Sequence, residues 1–417
     1  MIDDDKATVW EQHVAYADPK TQGPSDWRSA LYIILGGIPR NIASQLNGLA
    51  IDATSGTVLL CDSHLMPVSD ALLYNDARAQ HQSEQLKGVA PLGHVVCSAN
   101  SGLSKFLWLT QQEGAEAATY FLHQADWLAA LLSGQGGVSD YHNALKTGYD
   151  VERLRWPEWL MALPHFNLLP QVLAPGEPIC RMQPDIAARF GINMECVVHA
   201  GTTDSTAAFI ASGVTETGVG VTSLGTTLVL KLLSKRRIEA PENGVYSHRY
   251  GGLWLVGGAS NAGAGVLRQY FDDAQLAALS ALIDPQRDTP LDYYPLPEIG
   301  ERFPVNDPTL VPKLLPRPDN DADFLHGLLQ GLSRIEAAGY AKLAELGATP
   351  VCRVVTNGGG SKNAQWGGIR ERLLGVPVSR AAHAEAAYGS ALLCTGDYFS
   401  TRNNASNSAI GEGLLNR

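Results

Sequence analysis

No two of the six cysteines (Cys61, Cys97, Cys180, Cys196, Cys352 and Cys394) form a CxxC pair, which excludes a zinc-ribbon site and a dense disulfide framework and fits a reducing cytosol. No apolar run approaches the ~20 residues of a membrane span. The opening MIDDDKATVW has neither the basic region nor the apolar stretch of a secretion signal, so a cytoplasmic protein is expected. Positive charge is scarce: the one tight cluster, Lys235, Arg236 and Arg237, reads as a solvated turn. With a net charge of −11 and a pI near 5.5, neither nucleic acid nor an anionic membrane is expected as a partner. Histidines at metal-ligand spacing are missing too, so no protein-built metal site and no catalytic histidine is expected, and His199 reads as a strand residue.

What is present is a packed α/β chain. Its 417 residues exceed one ordinary core, so two domains are expected, 1–194 and 195–417. NGLAIDATSGTVLLCD (47–62) predicts two strands about a turn holding Ser55 and Gly56, as a hairpin or a strand-loop-strand. SGLSKFLWLTQQEG, ATYFLHQADWLAALLSG and the stretch 322–347 keep helical spacing. A proline-rich passage at 168–184 reads as a connection. Beyond it, GVGVTSLGTTLVLKLL predicts a hairpin, GGLWLVGGASNAGAGVLRQYF a strand, glycine-rich loop and helix, and CRVVTNGGG a strand followed by a helix from Ser361.

Three glycine-rich turns in the second half are expected to follow strands, at Gly225, at Gly257 with Gly258, and at Gly358 to Gly360. Open α/β sheets place ligand contacts there. Gly225, Thr226 and Thr227 suit a phosphate, since glycine admits close backbone approach and threonine adds hydroxyls. Asp204, in AGTTDSTAAF, has two readings: a carboxylate that takes a proton from an incoming hydroxyl or helps place a hydrated magnesium ion, or the N-cap of the helix after it. Gly359, Gly360, Asn363 and Trp366 compose an adenine site if the glycines form a platform and Trp366 an aromatic face, whereas helical spacing equally makes Trp366 core. In the first half, Ser55 and the trio Tyr74, Asn75 and Asp76 are candidates for a polyhydroxylated substrate. Lys105, Asp126, Asp140, His142 and Asn143 are polar residues in apolar surroundings and read mainly as structural.

Taken in order, LLYNDAR, HQADWL, SDYHNALKTGYD, HAGTTDSTAAFIASG, VTSLGTTLVLKLL, GGASNAGAGVLRQYF, PLDYYPLP and GGGSKNAQW resemble the FGGY carbohydrate kinases over almost the whole chain. The likeness is greatest to the pentulose branch, the D-ribulose and D-xylulose kinase-like proteins of cyanobacteria and plants. It implies two RNase H-like domains of the actin and sugar-kinase superfamily around an interdomain cleft, acting on a small sugar with ATP and Mg2+. It further implies Asp204 as catalytic base, Ser55 and Ser205 as sugar contacts, and Gly225 with Thr226 as a phosphate loop. Gly257 and Gly258 would face the nucleotide, and Gly359, Gly360, Asn363 and Trp366 would form the adenosine pocket.

One motif of that family is not found. Members open on a strand and an Asp-x-Gly-Thr turn, the first phosphate loop, and residues 1–47 contain none. The run ATVWEQHVAYA resembles a later strand of that opening hairpin. Either Met1 is an internal methionine of a longer protein, which the intact pattern elsewhere favours, or the loop has been lost. Impaired phosphoryl transfer is expected from the chain as written, and an actin-like nucleotide or sugar sensor without turnover is the alternative. No motif sets the oligomeric state or the particular ketose.

Overall fold

The partners of the strand ahead of Asp204 decide where the first unit ends. In the computed structural model, which describes residues 1–396, β1 (Gly48–Leu49) and β2 (Asp52–Ala53) are followed by β3 (Val58–Cys61), β4 (Tyr120–His123), β5 (Val138–Asp140), β6 (Gln171–Leu173) and β7 (Pro178–Arg181). Next come β8 (Val197–His199) and β9 (Thr202–Thr203). β8 runs parallel to β1 and β9 parallel to β2, in the registers Gly48↔Val197 and Asp52↔Thr202. The segment 195–211 therefore belongs with the first half of the chain. The expected boundary at 194 is corrected to Ala211/Ser212, and the stretch from Glu385 also returns to the first unit.

That return is closely packed. A Cβ on Gly389, in the helix Ala386–Leu393, would lie 1.9 Å from the Ala207 carbonyl oxygen in the helix Asp204–Ala211. Only glycine lets the two backbones come so near. Of the two arrangements expected for 47–62, the strand-loop-strand is the one found: β2 pairs with β9, while β3 turns away to pair antiparallel with β4. Residues 7–17, expected as a strand, form none, and their single ladder contact is the bridge Ile2↔Thr8.

The second unit, Ser212–Ala384, is one six-stranded mixed sheet covered by helices. Its strands are β10 (Val219–Leu224), β11 (Leu228–Ser234), β12 (Tyr246–Tyr250), β13 (Leu253–Ser260), β14 (Arg353–Asn357) and β15 (Val378–Arg380), in the order β12-β13-β11-β10-β14-β15. β10 and β11 make the predicted hairpin, with Leu228, Leu230 and Leu232 turned into the core. β10 and β14 are parallel in the register Ser223↔Asn357, so the Gly225 turn and the Gly358 turn leave the sheet at the same edge. The helix Asp321–Glu345 starts where the Asn320 side chain accepts from Ala322 N at 2.9 Å, with Asp321 and Asp323 in its first turn. Both features satisfy the N-terminal amides and their partial positive charge.

Between that helix and the sheet lies a buried ionic knot. Arg370 Nε and Nη2 donate to the two carboxylate oxygens of Glu336 at 2.6 and 2.7 Å, with side-chain exposures of 2% and 1%. Arg370 Nη1 also donates to Thr356 on β14 at 2.7 Å, and Thr222 on β10 donates to Glu336 at 2.6 Å. Tyr340 OH meets Thr222 Oγ1 at 2.8 Å, and a Cβ on Gly220 would lie 2.4 Å from that hydroxyl. Removing one member strands the other charge in a dry interior. Arg370→Met should therefore cost about 3–5 kcal/mol of stability, read from urea or heat unfolding of the full chain.

The first unit has a comparable tie in Lys105, on the helix Gly102–Leu109. Its ammonium is wholly buried and donates to the carbonyls of Gly56 at 2.8 Å and Leu73 at 2.6 Å. It thereby fastens the Ser55-Gly56 turn to the loop of Tyr74, Asn75 and Asp76. Burial lowers the Lys105 pKa to about 8. An unfolded lysine keeps its proton to about 10.4, so between these values the unfolded chain binds more protons and stability rises with pH. Compared with Lys105→Met, the wild-type chain should gain stability as pH rises from 8 to 10. Parallel melting curves of the two proteins across that range check this.

Candidate active site

Asp204 owes its place to a glycine. A Cβ on Gly201 would lie 2.0 Å from the carbonyl oxygen of Ile51, a contact no other residue could make. The bare backbone lets β9 close on β2, and Thr202 N donates to Ile51 O at 3.2 Å. His142 meets the Thr202 hydroxyl at 2.7 Å, and Thr203 donates to Thr206 at 2.9 Å. After Thr203 the chain turns into the helix that Asp204 opens as its first residue, with Asp204 Oδ1 accepting from the adjacent Ser205 N at 2.6 Å. Asp204 is partly exposed and Ser205 exposed.

The register Ala53↔Thr203 sends Ser55 and Asp204 out of the same edge of this strand pair. The Ser55 Oγ is buried and has no hydrogen-bond partner among the described residues. The turn around it is held by Thr54 Oγ1 against Thr57 Oγ1 at 2.6 Å, by Gly56 at φ +82°, and by Lys105. In the trio, Tyr74 is 55% exposed, and Asp76 is paired with Arg78 at 2.8 Å. Asp140 is locked inside, accepting from Asn143 Nδ2 at 2.6 Å; burial, and then the charge of Asp126, push its pKa up to about 7. Asp126 itself meets His123 at 2.7 Å. These groups stiffen the scaffold behind β9, as their apolar surroundings suggested.

Asp52 is the residue that sequence reasoning passed over. It lies opposite Thr202, and its Oδ2 accepts from Ser390 Oγ at 2.6 Å. Burial raises its pKa, the Ser390 hydrogen bond opposes this, and the charge of Asp204 raises it again. The signal was present in the sequence, since AIDATSG, like AGTTDST, puts an acid beside small and hydroxyl residues at the end of an apolar run.

In the second unit the Gly225-Thr226-Thr227 turn stands as expected, with Thr226 exposed. Here glycine is not compelled: a Cβ on Gly225 would meet only Thr227 O, at 3.6 Å. The steric demand falls instead on Gly263 and Gly265, where a Cβ would come 2.5 and 2.9 Å from Thr226 O. Ala264 N and Gly265 N donate to the Gly225 and Thr226 carbonyls, bracing the turn from beneath.

Gly257 and Gly258 need correcting. They lie inside β13, paired with Lys231 and Leu230, and form no turn. A Cβ on Gly258 would lie 2.7 Å from the Phe303 ring, so this glycine makes room for core packing. The expected aromatic face of Trp366 is corrected as well. Its ring is 2% exposed, and its Nε1 donates to Ser333 at 3.1 Å. Asn363 caps the helix expected from Ser361, which runs Ala364–Leu374, accepting from Trp366 N at 3.0 Å, while its amide nitrogen donates to Ser280 at 2.8 Å. Gly359 is exposed; Gly360 is pressed between Leu224 and Trp366, where a Cβ would lie 2.8 and 2.6 Å away. Gly360, Ser361, Asn363, Gly367, Gly368 and Arg380 help line a cleft of about 320 Å³. That is within the range of small-molecule sites.

Among the described residues, no group of three or more His, Cys, Asp or Glu side chains is placed to hold a metal ion, and no helix is long and apolar enough to cross a membrane. Residues 12–211 match the N-terminal domain, and residues 220–396 the C-terminal domain, of the FGGY family of carbohydrate kinases. A xylulose kinase of Klebsiella pneumoniae is 23% identical over 384 residues, 87% of this chain and 77% of that protein. One of Lactococcus lactis is 25% identical over 224 residues, which are 50% of this chain but only 44% of that relative. The solved structure of a xyloylose kinase from Brucella ovis superposes with a TM-score of 0.80 at 21% identity, covering 96% of this chain and 88% of that one. That likeness concerns the fold, the two-domain fold of sugar kinases. With both domain matches spanning most of its length in the expected order, the chain belongs to the FGGY family of carbohydrate kinases.

Proposed function

We propose that the chain transfers the γ-phosphoryl group of ATP to a ketopentose such as D-ribulose or D-xylulose, with Asp204 as the base. The observation that carries this reading is the β2–β9 register, which brings the Ser55 turn and Asp204 to one edge in a member of a carbohydrate kinase family. Relatives named as xylulose kinases support a pentulose acceptor.

Phosphoryl transfer asks a protein chiefly for positioning and charge stabilisation. The Ser55 hydroxyl, with no partner among the described residues, can bond a sugar hydroxyl, and the exposed Ser205 stands beside the base. Asp204 accepts the proton of the attacking hydroxyl, which is a poor nucleophile while it keeps that proton. In the second unit, the turn of Gly225 and Thr226 serves the phosphates, and the cleft lined by Gly360 and Asn363, next to the exposed Gly359, takes the adenosine, with Trp366 as the buried wall behind Gly360. The open cleft and the braced turn fit a nucleotide. When bound, Mg2+ supplies neutralising charge on the phosphates and keeps several waters, with Asp204 proposed to help hold that hydrated ion. Residues 1–47 offer no Asp-x-Gly-Thr turn, so the chain of residues 1–417 is proposed to grip phosphate from one side and to turn over slowly.

Sugar-dependent ADP release with D-ribulose and D-xylulose tests the activity. Asp204→Asn should lower kcat by about 10²–10⁴-fold while KM for the sugar changes little. A wild-type rate of about 1–100 s⁻¹, ordinary for kinases, would contradict the slow-turnover proposal. Calorimetric binding of sugar or nucleotide without any product would favour the sensor reading, which the missing turn motivates.

A further inference from the structure

We propose that the Asn357 carboxamide bonds the ribose of the nucleotide, a contact that makes the second unit favour a ribonucleotide over its deoxy forms. The inference rests on that unit holding the nucleotide.

Asn357 is the last residue of β14, directly before the Gly358 turn. It is 7% exposed, and its Oδ1 is buried with no hydrogen-bond partner among the described residues. A buried acceptor left so destabilises a fold, and native chains carry few of them. The ionic knot offers it nothing: Thr356, the residue before, bonds to Arg370, and side chains alternate along a strand, so Asn357 turns away. The backbone cannot shift to find another partner. Gly358 stands at φ +81°, and a Cβ there would lie 2.8 Å from the Leu224 carbonyl oxygen, so the end of β14 is closed tightly on the end of β10. The other second-unit atom of this kind, His326 Nε2, lies within the helix Asp321–Glu345. Asn357 stands at the carboxyl end of a strand, where open α/β sheets meet their ligands.

Its position selects the part of the ligand it meets. The register Ser223↔Asn357 sets it level with the strand end that leads into the Gly225 turn, and Gly360 and Asn363 of the cleft follow it on its own chain segment. A nucleotide with its phosphates at the Gly225 turn and its base in the cleft crosses the end of β14 with its ribose. The chemistry agrees. Ionised phosphates offer no donor for Oδ1, whereas a ribose hydroxyl can donate to Oδ1 and accept from Nδ2. The terminal torsion of a carboxamide is broad, so Oδ1 can turn toward the exposed Gly359 with the backbone unmoved.

The test is calorimetric binding of ATP, 2′-deoxyATP and 3′-deoxyATP to the full chain without sugar, a readout that needs no turnover. The wild-type chain should bind at least one deoxy analogue about tenfold more weakly than ATP, because the missing hydroxyl leaves the carboxamide unpaired. Asn357→Leu, similar in size and without the amide, should bind ATP about tenfold more weakly and bind all three nucleotides alike. A folded Asn357→Leu that keeps the wild-type preference for ATP, or a wild-type chain that binds ATP and both analogues equally, overturns the ribose contact and leaves the nucleotide site standing. No binding of ATP to the wild-type chain overturns the nucleotide reading of the second unit and this inference with it. Should Asn357→Leu fail to fold, the same comparison in Asn357→Ala decides.

Discussion

The approach of the Ile51 carbonyl to the bare backbone of Gly201 is the constraint on which the first unit's site depends. Because no Cβ stands between them, a strand near residue 52 and a strand near residue 202 lie in parallel register. That register aligns the Ser55 turn with Asp204 and sets Asp52 opposite Thr202. Everything else in the neighbourhood secures this pair: Lys105 clasps the turn, His142 holds Thr202, and Ser390 caps Asp52 from the far end of the described chain. A buried polar group stays only where its bonds are made, so each of these contacts also limits where the backbone can go.

The second unit solves a different problem. Its glycine-rich turns at Gly225 and Gly358 leave neighbouring parallel strands, β10 and β14, whose relative position has to be fixed. Arg370 and Glu336 achieve this by bonding to Thr356 on one strand and Thr222 on the other. Burying two charges is costly, and a fully bonded pair returns that cost mainly as a unique arrangement. The same helix that carries Arg370 begins at Asn363 beside the cleft, so the packing of the core and the shape of the cleft are set together.

The two Gly-Thr-Thr tripeptides show how much was legible beforehand. Both were readable as turns after strands, and so was the acid that follows the first. Their glycines look alike in sequence yet do different work, since Gly201 is required by a carbonyl contributed 150 residues earlier and Gly225 by no close contact at all. Gly257 and Gly258 misled because a glycine pair suggests a turn, whereas the Phe303 ring occupies the space above Gly258. Trp366 was ambiguous, since helical spacing allowed either core or pocket; it is core, and the Ser333 hydroxyl that receives its N–H comes from another helix.

Local order was determined by the sequence itself, because periodicity, glycine stops and capping residues act over a few neighbouring positions. The α/β class, the β10–β11 hairpin, the long helix and the ordered motifs of a carbohydrate kinase were all written there. The tertiary structure alone decided which strands pair, that the first unit extends to Ala211 and recovers the residues from Glu385, and that Asp52 lies opposite Thr202 and bonds Ser390. Those outcomes depend on contacts between residues distant in the chain, 338 positions apart for Asp52 and Ser390, where steric fit and hydrogen bonding select the partner and no local pattern records the choice.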